Sequence, residues 1–317
     1  MVNETEKILN AFSNVFFYKE LVINNLKFVP VGTKEEKELA DLLFNFGDII
    51  LAIQLKGRNA KYQTEDLGKE TKWLGKECRD AKKAVKKTIE FIETGVLPSF
   101  KNERNYEVKI KRDAEVIPLI IFMNGQIKEY PHILKKHTQE GMDVNCISYD
   151  DFQIMCKTLI TPMEIIEYLN WRLHFYQDNG NVNMWLQEDM KGNLIISKPQ
   201  NNEALVHQFL LDQYGTIDIN RECLIEFQNF LHRMPEHSVF ESEENASYPL
   251  ILFFSHFRRV EIIPFMERLK LSVEKSANKI YGIVGSLRNI IDNYAIIFVT
   301  SKYGAGVPME LLFDVAK

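Results

Sequence analysis

Apolar residues recur densely at Phe12, Val15, Phe16, Leu21 and Val22, which predicts a short buried helix between Phe12 and Leu26. Further on, two strand-like runs, Asp41 to Phe46 and Ile49 to Lys56, flank the dipeptide Gly47-Asp48. Two β-rich runs joined by a two-residue loop predict a tight hairpin, with glycine supplying the positive φ of the turn. The second run is apolar on both faces, the pattern of a central strand covered on both sides.

Residues 68–94 are Lys-rich, with Trp73, Leu74, Val85, Ile89 and Ile92 at helical spacings. They predict a long amphipathic helix ended by Gly95 and Pro98. The β-branched runs Glu115 to Phe122 and Val144 to Ser148 predict two more buried strands, the first followed by a turn at Asn124-Gly125. This order builds one α/β layered domain over residues 1–150. Beyond it, Thr161-Pro162 opens a helix, with Thr as N-cap and Pro in the first turn, that runs through Tyr168 and Trp171. A polar loop at 177–183 follows, then helices at 203–214, 219–233 and 258–275 and strand-like runs at 249–254 and 294–300. Residues 151–317 therefore read as a second, mixed α/β domain for recognition, regulation or assembly, and no internal repeat is present.

Composition narrows the class. With 317 residues, 45% apolar and 26% charged, the chain can bury a substantial core, and disordered, collagenous and low-complexity classes are excluded. Cys78, Cys146, Cys156 and Cys223 are far apart and form no CxxC spacing, so four reduced thiols in a cytoplasmic protein are expected. The N-terminus lacks a basic stretch followed by an apolar one, and apolar runs of about eight residues are too short to cross a bilayer. A net charge of −5 gives no global attraction to nucleic acid, so any such contact must be a local basic patch. Residues 56–90 supply one, with eleven Lys or Arg against six Asp or Glu. Its candidate nucleic-acid contacts are Arg58, Lys61, Lys72, Lys76 and Lys83, and the competing reading is a solvated helix face. Trp73 within it is expected to serve the core or an interface before it stacks on a base.

The residues that carry chemistry lie on the hairpin. With Gly47-Asp48 as its loop, opposed residue numbers sum to 95, so Asp41 faces Gln54 with Cβ atoms roughly 4.5–5.5 Å apart. Lys56 lies on the same face, two residues along. An acid, an amide and a lysine thus converge on a sheet otherwise made of Ile, Leu and Ala, and burying such charges needs pairing or a function. The ordinary alternative is an Asp41–Lys56 salt bridge across a hairpin with Gln54 at a sheet edge. Asp48 is too distant for this cluster, since six extended residues span about 20 Å, and its role is the turn.

Asp41 with Gln54-Leu55-Lys56 resembles the signature of the PD-(D/E)xK nuclease superfamily, in which an acid on one strand meets an acid-x-Lys tripeptide on the next. The resemblance covers about half the chain and implies a restriction-endonuclease-like mixed sheet flanked by helices. It further implies hydrolysis of nucleic-acid phosphodiesters, DNA before RNA, with Mg²⁺ or Mn²⁺, in a setting such as defence against foreign DNA. Asp41 would hold the metal and Gln54 complete its shell, Lys56 would orient the attacking water, and Arg58 would touch a flanking phosphate. Homo-oligomers, or a partner on the C-terminal region, would follow because cutting two strands takes two sites. The tripeptide departs from the pattern in opening with Gln, which offers only a neutral oxygen, so Glu38 becomes the expected second acid. A non-catalytic nucleic-acid-binding or sensor module on the same scaffold is the alternative.

Other signals are weaker. His132 and His137, like His232 and His237, are five apart and predict no metal site. Residues 301–308 lack P-loop spacing, residues 241–245 are an acidic linker, and Arg258-Arg259 opens a helix whose Arg268 and Lys270 read as a solvent-facing stripe.

Overall fold

The computed structural model describes residues 12–24, 26–29, 34–94, 97–127, 133–134, 144–178, 185–188, 194–197, 202–217, 220–237, 247–278, 282–289 and 294–300. The first helix, α1, covers residues 12–16, and Tyr18 follows with φ of 59°. The helix expected to reach Leu26 therefore ends early, and Val22–Asn24 instead forms strand β1. A β-branched pair has an edge to join here, because β1 lies antiparallel to β4 with Val22 opposite Phe44. A small ribbon of β2 (Lys27–Phe28) and β3 (Lys37–Glu38) leads to β4 (Leu42–Asn45) and β5 (Ile49–Gly57).

The hairpin register is the expected one: Leu42 opposes Ile53, Leu43 opposes Ala52 and Asn45 opposes Ile50. Gly47 carries φ of 81°, and the turn is held by Phe46 N–H to Ile49 C=O at 2.9 Å and Gly47 N–H to Asn45 Oδ1 at 3.0 Å. Asp48 serves that corner, pairing with the Lys111 ammonium and giving its carbonyl to Glu115 N–H at 2.8 Å.

Helix α2 (Leu67–Thr94) follows, then a ribbon of β6 (Phe100–Lys101) and β7 (Glu107–Val108), and strands β8 (Glu115–Met123), β9 (Ile133–Leu134) and β10 (Val144–Ser148). The main sheet has the order β1-β4-β5-β8-β10-β9. Its first three strands are antiparallel, β5, β8 and β10 run parallel, and β9 closes the far side antiparallel. β5 is thus central, which explains its apolar residues on both faces.

Side-chain alternation assigns the two faces. Ile50 on β5, Ile120 and Phe122 on β8 and Cys146 on β10 share clusters with the buried side of α2, including Leu74, Cys78, Ala81 and Ile92. The opposite face is closed by α3 (Tyr149–Leu159) and α4 (Pro162–Asp178), where Phe17 stacks on Phe44 and lies 6.4 Å from Phe152. Ser148 caps α3 by accepting from Asp151 N–H, and Thr161 Oγ1 accepts from Glu164 N–H as the expected cap of α4. The protein is thus α/β, with a mixed sheet flanked by helices.

The remaining described elements are β11 (Trp185–Glu188) and β12 (Leu194–Ser197), which pair with each other, α5 (Asn202–Tyr214), α6 (Arg221–His237), α7 (Ser247–Ser255), α8 (Arg259–Ala277), and the pair β13 (Gly282–Asn289) and β14 (Tyr294–Thr300). The run at 249–254 is helical rather than the expected strand; an apolar stretch this short has no period to decide between the two. Of the polar loop, residues 177 and 178 close α4 and 179–183 lie outside the described residues.

The chain divides into two compact units, residues 1–217 with 231–256, and residues 218–230 with 257–317. The division expected at residue 150 does not coincide with this one. Residue 150 lies inside α3, and α3 and α4 pack on β8 and β10 as part of the first unit's core. In the second unit, α8 packs on β13 and β14, and Phe227, Phe257 and Phe265 form an aromatic cluster with centroids about 6 Å apart. All four cysteines are free and buried.

Candidate functional site

Strand β5 outruns its neighbour. β4 begins at Leu42 opposite Ile53, so Gln54 to Gly57 have a ladder partner only on the β8 side, where Gln54 lies beside Ile120 and Lys56 beside Phe122. On the other side Asp41 takes over: its Oδ2 accepts a hydrogen bond from Leu55 N–H at 2.6 Å. The carboxylate thus stands in for the backbone acceptor that a longer β4 would have offered, and it lies alongside Gln54 and Lys56. The side chains of Gln54 and Lys56 project to the α2 face by alternation, together with Ile50.

Gln54 is 6% exposed, and Asp41 and Lys56 are half-buried. Among the described residues no carboxylate lies within 4.0 Å of the Lys56 ammonium, so the ordinary salt bridge to Asp41 is not formed. Glu38 sits on the β2–β3 ribbon, opposite Lys27, exposed and off the sheet that carries the other three.

Arg58 has another occupation than an open phosphate contact. Its Nε lies 3.2 Å and its Nη2 3.3 Å from the two oxygens of Glu70, Nη2 also donates to Tyr62 C=O at 2.7 Å, and the guanidinium lies 5.0 Å from the Trp73 ring. Glu70 is fully buried on the first turn of α2. It also accepts from Asn124 Nδ2 at 2.9 Å and from Thr64 N–H at 3.1 Å. Burial pushes its carboxyl up, but hydrogen bonds from Asn124, Arg58 and Thr64 and the guanidinium charge outweigh it and hold the pKa below the ordinary value. This network ties the ends of β5 and β8 to the start of α2, and so fixes the strand that carries Gln54 and Lys56. Sequence reasoning missed Glu70. The signal was an acid among the apolar positions of the helix, in step with Leu74 and Cys78.

The other predicted contacts are on the surface. Lys61 is exposed in a 3₁₀ turn (Ala60–Tyr62) beside Tyr62, itself 60% exposed. Lys72, Lys76 and Lys83 are exposed on α2, and Lys83 pairs with Asp80 at 3.3 Å. Trp73 belongs to the packing at the edge of the α2 cluster, as its core reading expected.

Among the described residues no three His, Cys, Asp or Glu side chains gather into a metal-holding group. The donors at the strand end are one carboxylate, Asp41, and one amide carbonyl, Gln54. That set does not fit an all-protein cage, but it does fit a hard divalent ion that keeps most of its waters and takes other oxygens from a substrate phosphate. His132, His137, residues 241–245 and residues 301–308 lie outside the described residues. No described helix is long and apolar enough to cross a membrane. No protein-family model, curated protein or solved structure matches the chain.

Proposed function

We propose that the protein is a metal-dependent nuclease that hydrolyses phosphodiester bonds of nucleic acid, DNA in the first place, at the open end of β5. The observation that carries this reading is the docking of the Asp41 carboxylate on Leu55 N–H, beside Gln54 and Lys56, whose ammonium has no carboxylate within 4.0 Å among the described residues. In the proposed chemistry Asp41 and Gln54 would hold Mg²⁺ or Mn²⁺, which supplies Lewis-acid polarisation of the phosphoryl oxygen. Asp41 is oriented for this by Leu55 N–H. Lys56 orients the attacking water and stabilises the charge that develops on the phosphate oxygens. Cutting both strands of a duplex takes two such sites, so a self-associated form belongs to the proposal, and the mass in solution checks it.

The neutral Gln54 and the lack of a three-ligand group among the described residues favour a second reading, a non-catalytic nucleic-acid-binding module on the same scaffold. One experiment separates the two. Purified protein is incubated with plasmid, single-stranded DNA and RNA, with Mg²⁺ or Mn²⁺, beside Asp41→Ala and Lys56→Ala. Metal-dependent cleavage lost in both variants supports the nuclease. Binding without cleavage, unchanged in both variants, supports the module, and cleavage that survives both substitutions together would sink the proposed site.

A further inference from the structure

The outer face of α2 carries a line of cations that the site does not use. Lys69, Lys72, Lys76, Arg79, Lys83 and Lys87 follow one another at steps of three or four residues, and all are exposed. Steps of this kind keep side chains on one stripe of a helix. The stripe lies opposite the buried line Glu70, Leu74, Cys78, Ala81, Val85, Thr88 and Ile92. Over eighteen residues at 1.5 Å each it runs for about 27 Å.

A helix face that merely meets water gains by alternating acids with bases at i, i+4 spacing; like charges at that spacing oppose the helix. Here Lys72–Lys76, Arg79–Lys83 and Lys83–Lys87 are like-charged i, i+4 pairs. Acids relieve only part of the stripe: Asp66 pairs with Lys69 at 3.5 Å and Asp80 with Lys83 at 3.3 Å. Among the described residues, Lys72, Lys76, Arg79 and Lys87 have no ion-pair partner within 4.0 Å. Charge is segregated over the whole chain as well. Residues 56–90 hold eleven bases against six acids, and the rest holds twenty-eight against thirty-eight.

We propose that this outer stripe of α2 is a binding rail for the phosphate backbone of nucleic acid, separate from the β5 site. Its extended geometry fits a linear polyanion, which would neutralise several unpaired cations together and release counterions. An anionic membrane is the poorer match. A surface helix binds lipid by inserting an apolar face, and the apolar face of α2 is already buried against the sheet. The inference rests on the nuclease reading only in the choice of nucleic acid as the polyanion.

The test is fluorescence anisotropy with a labelled 20-base-pair DNA duplex, titrated at several salt concentrations without divalent metal. In Lys72→Glu/Lys76→Glu/Lys87→Glu the affinity should fall at least tenfold at low salt, and the slope of log K against log salt should become shallower by about 2 to 3. Lys72→Gln/Lys76→Gln/Lys87→Gln should fall between it and the wild type. A control, Lys19→Glu/Lys101→Glu/Lys109→Glu, changes net charge equally at exposed lysines elsewhere and should bind within about twofold of wild type. Circular dichroism confirms that α2 is intact in each. Equal losses in stripe and control variants, or none in either, would overturn the proposal, as would binding to phosphatidylserine vesicles but not to DNA. Stripe-dependent binding without cleavage retires only the nuclease reading, and cleavage with stripe-independent binding retires only the rail.

Discussion

The Asp41 carboxylate lies 2.6 Å from the backbone nitrogen of Leu55, and so completes the strand ladder where β4 has run out. One side chain thus has two tasks, capping a strand and presenting a charge beside Gln54 and Lys56. The two can be separated. Asp41→Ala removes an ionised acceptor from a half-buried N–H and should lower stability by about 1.5–3 kcal/mol in urea unfolding. Asp41→Asn keeps an acceptor oxygen and should recover most of that loss. Under the proposed chemistry it should stay as inactive as the alanine variant, because the charge is gone. Activity that returns with stability in Asp41→Asn would mean that Asp41 only holds the strand.

Glu70 makes the acid end of the stability curve predictable. Its pKa is held below the ordinary 4.5 in the folded protein, so its ionised form favours folding. That contribution is whole above about pH 4.5 and is lost as the pH falls from there through the lower folded value. The urea midpoint of the wild type should therefore drop on acidification below about pH 4.5, and that of Glu70→Gln should drop less. Parallel curves for the two proteins would show that Glu70 is not the group responsible.

Legibility in the sequence followed the range of each interaction. The hairpin was readable because a two-residue loop sets register by counting, and counting put Asp41 against Gln54. Helix α2 was readable because its buried residues repeat over many turns. By contrast β1 has three residues, too few to show a period, and needs β4 to exist as a strand. Helix α3 went unread although its signals were present: Ser148 followed by Asp151, then Phe152, Met155, Cys156 and Leu159 on one face. The partner of Arg58 was beyond such reasoning. Glu70 is twelve residues away and Asn124 joins it from fifty-four residues further, so only the fold brings the three together.

Gly47 offers a test of the turn that sets this register. Its φ of 81° is open to glycine and costly for other residues. An added Cβ would meet Leu252 only at ordinary contact distance, 3.7 Å, so crowding is not the obstacle. Gly47→Ala should cost about 1–2 kcal/mol through backbone strain alone. Thermal unfolding would show this, and an unchanged midpoint would mean the turn relaxes to another conformation.

The cysteines should be inert while the protein is folded. Cys78 and Cys146 face each other across α2 and β10 with Sγ atoms 3.7 Å apart. The hydrogen bond shared with Cys78, and then burial, push the Cys146 thiol up, and burial does the same to Cys156. Thiolates are the reactive form, so an aromatic disulfide reagent at pH 8 should find no fast thiol in the native protein and four after denaturation. A rapid native reaction would place at least one thiol in a segment that opens readily.

Gln54→Glu puts the departure from the nuclease pattern to the test. The substitution sets a second carboxylate opposite Asp41, in a position only 6% exposed. Two unit charges about 5 Å apart at an effective dielectric near 20 repel by about 3 kcal/mol, and burial adds to the cost. Without metal, then, the variant should unfold at lower urea than the wild type, and more so at pH 8 than at pH 5, where the new carboxyl can stay protonated. A divalent ion held between the two acids would remove the repulsion. Millimolar Mg²⁺ or Mn²⁺ should therefore restore the midpoint of Gln54→Glu while moving that of the wild type little, and should raise metal-dependent cleavage. The stability readout needs no turnover, so it tests shared metal holding even if the protein is a binding module. A variant whose midpoint ignores the metal would show that Asp41 and position 54 do not share an ion, and the strand end would then be a cap and nothing more.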